Sequence, residues 1–282
     1  MSMHVFSVAT HNEGYLDALR ESCDRYNYKL NLIGWGEKWQ GWMWRLKETI
    51  AALQTHATTM GDDDLVCVVD GYDILMMADS EELQRRYVAI TQGGNQVVFA
   101  VENPLNEPLS TILQWLVFGA CGPNKKPLNA GACVGPVKQC HMILSKMAAY
   151  GLRSGQSDDQ IILNTVCADL LGTPQLLAVD TQGDLIFNAA CRIPIPGILV
   201  GKCHFGLSDG FRNPRTGRVP CILHAPGGLS LGNVCRDLNL PPGLRRNRWS
   251  WLYTNFKRQM LVSVGVVIIV MVSFCIWKRM KQ

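Results

Sequence analysis

The sequence predicts an α/β fold, a mostly parallel central sheet flanked by helices, with a transmembrane helix at its C-terminal end. Three observations carry this expectation. Short apolar runs alternate with amphipathic helical stretches over the first half of the chain, the βαβα pattern of a parallel sheet with right-handed crossovers. The runs are β-branched and unbroken rather than alternating, as in strands buried on both faces. Finally, Met260 to Trp277 is 18 residues without a charge, bounded by Lys and Arg on both sides, enough for a short membrane span.

Val5 to Thr10 reads as the first strand, with a helix from about Tyr15 to Tyr26 carrying Leu16, Leu19 and Cys23 at helical spacing. Lys29 to Ile33 is the second strand. The loop after it places three tryptophans, Trp39, Trp42 and Trp44, within six residues. Two of them are expected in the core and one exposed, where it could stack a base. A helix follows from about Trp44 to Thr58. The third strand, Asp64 to Val69, ends at Asp70-Gly71-Tyr72-Asp73, and Ser80-Glu81-Glu82 opens a helix with Ser80 as its hydroxyl cap. Val97 to Glu102 is a strand, Ile112 to Phe118 an apolar helix, and Leu128 to Gly135 a strand of small residues that lets a ligand or backbone approach. A helix from Val137 to Tyr150 leads to Ser157-Asp158-Asp159-Gln160, where Ser157 is the expected cap of the next helix. Short strands are expected at Gln175 to Val179, Leu185 to Asn188 and Val219 to His224, with loops over 191 to 220. The organisation expected is a domain over 1–235, a basic linker over 236–259, the span over 260–277 and a basic tail over 278–282.

The net charge is +4, with 48% hydrophobic and 18% charged residues, which argues for a sizeable core. Much of the positive charge lies beyond Arg245, so a nucleic-acid surface is not indicated. Eleven cysteines occur without a C-x-x-C pair, which argues against structural zinc. Free thiols, no N-glycosylation sequon and no signal peptide point to a reducing compartment. The expected location is a membrane, through a single-pass C-terminal anchor that leaves the folded domain in the cytosol.

In open α/β sheets ligands bind beyond the carboxyl ends of the strands. Asp70 and Asp73 stand at such an end, and two carboxylates there can hold a hard divalent cation, which in turn holds a diphosphate. The alternative is a solvated Asp-Gly turn. For Asp158 and Asp159 the alternatives are catalysis and stabilisation of a helix N-terminus. His224 ends a strand, and becomes a ligand candidate if that strand reaches Asp70.

These pieces resemble a known family, the glycosyltransferase domain of procollagen lysyl hydroxylases, over about residues 4 to 228. The matching segments, in order, are Val8-Ala9-Thr10 with Gly14-Tyr15-Leu16, Gly36-Glu37-Lys38-Trp39-Gln40-Gly41, Asp70-Gly71-Tyr72-Asp73, Leu128 to Gly135, Asp158-Asp159-Gln160, and His224-Ala225. The resemblance implies a GT-A-like (Rossmann-like) fold using Mn2+ or Mg2+ and a UDP-sugar donor. Asp70, Asp73 and His224 would bind the metal. Thr10, Trp39 and Tyr72 would hold uridine, with Asp70 and Gly227 also on the donor side. Asn129, Asp158 and Asp159 would face the sugar or acceptor. The reaction implied moves glucose or galactose to a hydroxyl of a protein or glycan, hydroxylysine in the family. Two segments depart from the pattern: Gln40-Gly41-Trp42-Met43-Trp44 is short and lacks the family's Lys, and Ala225-Pro226-Gly227-Gly228 replaces Gly-Asn-Gly-Pro. A reading from another class is a tail-anchored, catalytically degenerate protein that binds nucleotide sugar as a membrane adaptor.

Overall fold

The structure, a computed structural model, describes residues 3–58, 61, 63–102, 108–121, 126–172, 176–189, 209–226, 230–244 and 265 of the 282. Its centre is a six-stranded sheet. Strand β1 (His4–Val8) pairs in parallel with β2 (Lys29–Ile33) on one side and β3 (Leu65–Asp70) on the other, with Val8 opposite Asp70. Strand β5 (Val97–Val101) runs parallel to β7 (Leu177–Asp180). Between them, β6 (Leu128–Pro136) is antiparallel to both β3 and β5. The sheet is therefore mostly parallel, as expected, with one strand reversed. The reversal follows from the connection: Val101 of β5 pairs with Leu128 of β6, so the chain leaves and re-enters at the same edge instead of crossing over. That excursion carries helix α4 (Pro108–Phe118).

Period-two burial assigns the strand side chains to two cores. Val66 and Val68 join Phe6, Phe99, Leu53, Ile143 and Leu163 on one face, under α2 (Trp42–Ala57), α5 (Val137–Ser154) and α6 (Asp159–Gly172). Cys67 and Val69 join Val5, Leu16, Leu19, Leu83 and Val98 on the other, under α1 (Leu16–Arg25) and α3 (Ser80–Thr91). Helix α3 is capped by Asp79, whose side chain accepts the Glu82 amide at 2.9 Å, rather than by Ser80, which is its first residue. The stronger acceptor one position earlier takes the free N–H.

A second, three-stranded sheet was not read from sequence as a unit. Strand β4 (Ile74–Met76) pairs antiparallel with β9 (Ile222–His224), and β9 pairs in parallel with β8 (Ile186–Asn188). Its outer side is closed by α7 (Gly232–Asp237) with Leu231 and Leu240, and the Leu244 amide donates to Gly14 O at 2.7 Å. Cys121 and Cys167 form a disulfide between the excursion and α6, contrary to the expectation of free thiols throughout; the other six described cysteines are free and buried. Among the described residues no helix is long and apolar enough to cross a membrane. The span expected at 260–277 and most of the loops expected at 191–220 lie outside the described residues, Gly265 and residues 209–220 excepted.

Candidate active site

The small sheet brings together what the sequence separates. Ile74 stands opposite His224 in the β4–β9 ladder, and the Ala225 amide donates to Asp73 O at 2.8 Å. His224 Nε2 consequently lies 3.7 Å from Asp70 Oδ2 and 3.6 Å from Asp73 Oδ1. One donor atom from each of the three residues lies within 4.8 Å of the others. These separations are too long for hydrogen bonds. They are the spacing of ligands that share an ion about 2.1–2.3 Å from each.

His224 is prepared as a ligand. Asn188 Nδ2 donates to Val101 O at 2.9 Å, which turns its Oδ1 to the imidazole, 2.8 Å from Nδ1. Nδ1 must then carry the proton, leaving the Nε2 lone pair facing the carboxylates. Nε2 makes no hydrogen bond among the described residues. Burial, with the Arg45 charge, pulls the imidazole pKa down to about 3, so it is neutral at physiological pH. Gly131, in β6, completes the cradle. A Cβ there would sit 2.7 Å from Asp70 Oδ2 and 2.9 Å from His224 Nε2, inside the space the three ligands enclose. Two carboxylates and a neutral imidazole with an orphaned nitrogen fit a divalent cation.

Arg45 joins this cage to Asp159. Its Nη1 lies 2.7 Å from Asp70 Oδ1 and 3.1 Å from Asp159 Oδ2, and its guanidinium packs 5.7 Å from the Trp42 ring centre. Burial would depress its pKa, but Asp70 and Asp159 outweigh that and raise it. Burial lifts the Asp159 carboxyl to about 7 against the opposing pull of Arg45.

The remaining expected residues fall as follows. Thr10 and Tyr72 meet: the Thr10 amide donates to Tyr72 Oη at 3.0 Å. Trp39 is 38% exposed and packs edge-on against Trp42 and Trp44; Trp44 is buried and Trp42 only half-buried, so one of the three, not two, is in the core. Asn129 is buried with both amide ends engaged, donating to Glu102 Oε2 at 2.6 Å and accepting the Gly131 amide at 2.7 Å. It holds Gly131 in place. Asp158, not Ser157, caps α6: its Oδ1 accepts the amides of Gln160 and Ile161. Gly227 lies outside the described residues.

Sequence reasoning missed Arg45, Asn188, Gly131 and Glu102. Arg45 left a readable signal, a charge on the stripe Arg45, Thr49, Leu53 that faces the core, and Gly131 stood in the strand of small residues expected to let a ligand approach. Asn188 could not be found, since its role exists only once β8 pairs with β9.

A sequence model of the PLOD GT domain matches residues 1–188, which include Asp70, Asp73, Asp159 and Asn188 and stop short of His224. The human multifunctional procollagen lysine hydroxylase and glycosyltransferase LH3 is 26% identical over 184 residues, covering 58% of this chain and 22% of LH3. The human procollagen-lysine,2-oxoglutarate 5-dioxygenase 1 is 24% identical over 239 residues, 80% of this chain and 30% of that protein. The chain thus spans less than a third of the length of these relatives. Among solved structures, a glycosyltransferase involved in glycosylation of the major capsid of PBCV-1 covers 79% of this chain and 93% of its own, at 10% identity and a TM-score of 0.49. With residues 1–188 of 282 matched by the family's model, the chain belongs to the PLOD GT domain family, the glycosyltransferase domain of procollagen lysyl hydroxylases.

Proposed function

We propose that this chain is a divalent-cation-dependent glycosyltransferase that moves a hexose from a UDP-sugar to a hydroxyl acceptor. The observation that carries the reading is the convergence of Asp70, Asp73 and the unpartnered Nε2 of a neutral His224 on one point over Gly131. A bound Mn2+ or Mg2+ would neutralise the diphosphate and stabilise it as a leaving group. The protein residues do the rest. Asp70, Asp73 and His224 hold the ion, and Asn188 fixes the imidazole tautomer that lets them. Thr10, Tyr72 and the exposed face of Trp39 receive the nucleoside. Asp159, oriented by Arg45, is the carboxylate we assign to the acceptor side, where it orients the incoming hydroxyl and takes its proton. Asp158 and Asn129 hold backbone in place around it.

The family relationship supports the reaction class, while glucose or galactose as the sugar, and a hydroxylysine-type acceptor, rest on resemblance alone. A screen of UDP-sugars for Mn2+-dependent hydrolysis and transfer tests the reading. Asp73→Ala should abolish turnover, a loss of about a thousandfold or more for removal of one of three ligands to a charge-stabilising ion. Unchanged turnover in that variant removes the metal assignment. UDP binding with no turnover of any donor would favour the degenerate, binding-only protein.

A further inference from the structure

Arg45 occupies a position that a purely ligating site does not require. Its side chain is 9% exposed, and the same nitrogen contacts Asp70 Oδ1 and Asp159 Oδ2, while Nη2 donates to Ala130 O at 3.4 Å. Asp70 is therefore shared. One oxygen meets a fixed internal cation, and the other faces His224 and the space over Gly131. The two cage carboxylates offer two negative charges, and Arg45, whose charge Asp159 shares, offsets part of them at contact distance from a ligand. A charge so close and so little exposed is poorly screened.

We propose that Arg45 is a positioning residue that keeps the Asp70–Asp73–His224 cage short of negative charge, so that the divalent cation is bound firmly only together with a nucleoside diphosphate. The diphosphate supplies the charge that Arg45 withholds. Arg45 also holds Asp70 in one rotamer, so uptake needs no rearrangement of the cage. This inference rests on the metal reading above, and the experiment separates the two.

The measurement is Mn2+ binding to the full chain, followed by the electron paramagnetic resonance signal of the free ion, with and without UDP. Wild type should bind bare Mn2+ weakly, and UDP should tighten it at least about tenfold. Arg45→Met, uncharged and of similar length, should bind bare Mn2+ about ten- to a hundredfold more tightly than wild type, and the UDP enhancement should shrink by the same factor. Arg45→Lys, which restores the charge, should return to weak binding. A residue with a merely structural role would move the affinity the other way, because losing it would misplace Asp70. If Arg45→Met does not give the folded circular dichroism spectrum, Arg45→Gln, which can still donate to Asp70, carries the same expectation. No Mn2+ binding to wild type in either condition overturns the metal site itself. Binding to wild type that UDP does not enhance, or uncharged variants that bind no more tightly than wild type, overturns the role of Arg45 and leaves the metal site standing.

Discussion

His224 and Gly131 illustrate how narrowly the candidate site is specified at single residues. The imidazole is useful only because Asn188 selects its tautomer, and the ion fits only because residue 131 has no side chain. Gly131→Ala would press its methyl against the buried His224 ring and to 2.7 Å from Asp70 Oδ2, so a ligand side chain must move, and Mn2+ affinity in the presence of UDP should fall at least about a hundredfold. Titration of Mn2+ into the folded variant checks this. Glu102 gives a pH-dependent test. It is buried and accepts from Asn129 and Gln160, yet burial outweighs those bonds and raises its pKa. Below the ordinary carboxylate range both folded and unfolded chains hold the proton, so nothing is lost. As pH rises, the unfolded chain releases it first, and the folded state loses stability until its own raised pKa is passed. Glu102→Gln should therefore gain on wild type in thermal stability over the range that starts at the ordinary carboxylate pKa, about 4, and runs upward. A difference that stays constant over that range would show that Glu102 does not titrate as described.

The elements that matter most for the site are short ones. Strands β4, β8 and β9 have three residues each; the sequence located β8 and β9 but not β4, nor the pairing of the three, which brings Asp73, Asn188 and His224 into register. What fixes β8 is Asp180, at the end of β7. Its carboxylate accepts backbone amides from Gln182, Gly183 and Asp184 on Oδ1 and from Leu185 and Ile186 on Oδ2. Asp180→Asn must place an NH2 group against some of these donors. It should cost about 2–4 kcal/mol by leaving one or two buried N–H groups unmet, and it should also weaken Mn2+ binding through Asn188. A chemical denaturation curve read beside a metal titration detects both effects. Full metal affinity in a destabilised variant would mean that β8 finds its register without this carboxylate. The long elements behaved differently. Helices α1, α2, α3 and α5 and strands β2, β3 and β5 all lie within a few residues of where hydrophobic spacing put them, because each satisfies its backbone internally or in a buried ladder and its side-chain pattern records which face is covered.

Across the whole molecule, the two sheets are joined where Asn188 of β8 donates to Val101 O at the end of β5. The Cys121–Cys167 disulfide, with Cα atoms 5.5 Å apart and a sequence separation of 46, anchors the excursion between β5 and β6 to α6, the helix that starts at Asp159. Cys121→Ser should lower stability by about 3–4 kcal/mol, the value expected for a loop of this length. Thermal melts of the wild type with and without a reductant should reproduce the loss. A melt insensitive to both changes would mean the pair contributes nothing to the folded state.

The chain's composition and spacing were enough to fix an α/β sheet and the place of Asp70 and Asp73 at a strand end, while the resemblance to the family pointed to His224. These are local properties, written in apolar runs, turns and motif order. The pairing of His224 with Asp73, the reversal of β6, the burial of Arg45 against Asp70 and the tautomer set by Asn188 are not written there. Each depends on contacts between residues far apart in the chain, which acquire a preferred geometry only when the two sheets close on a common core.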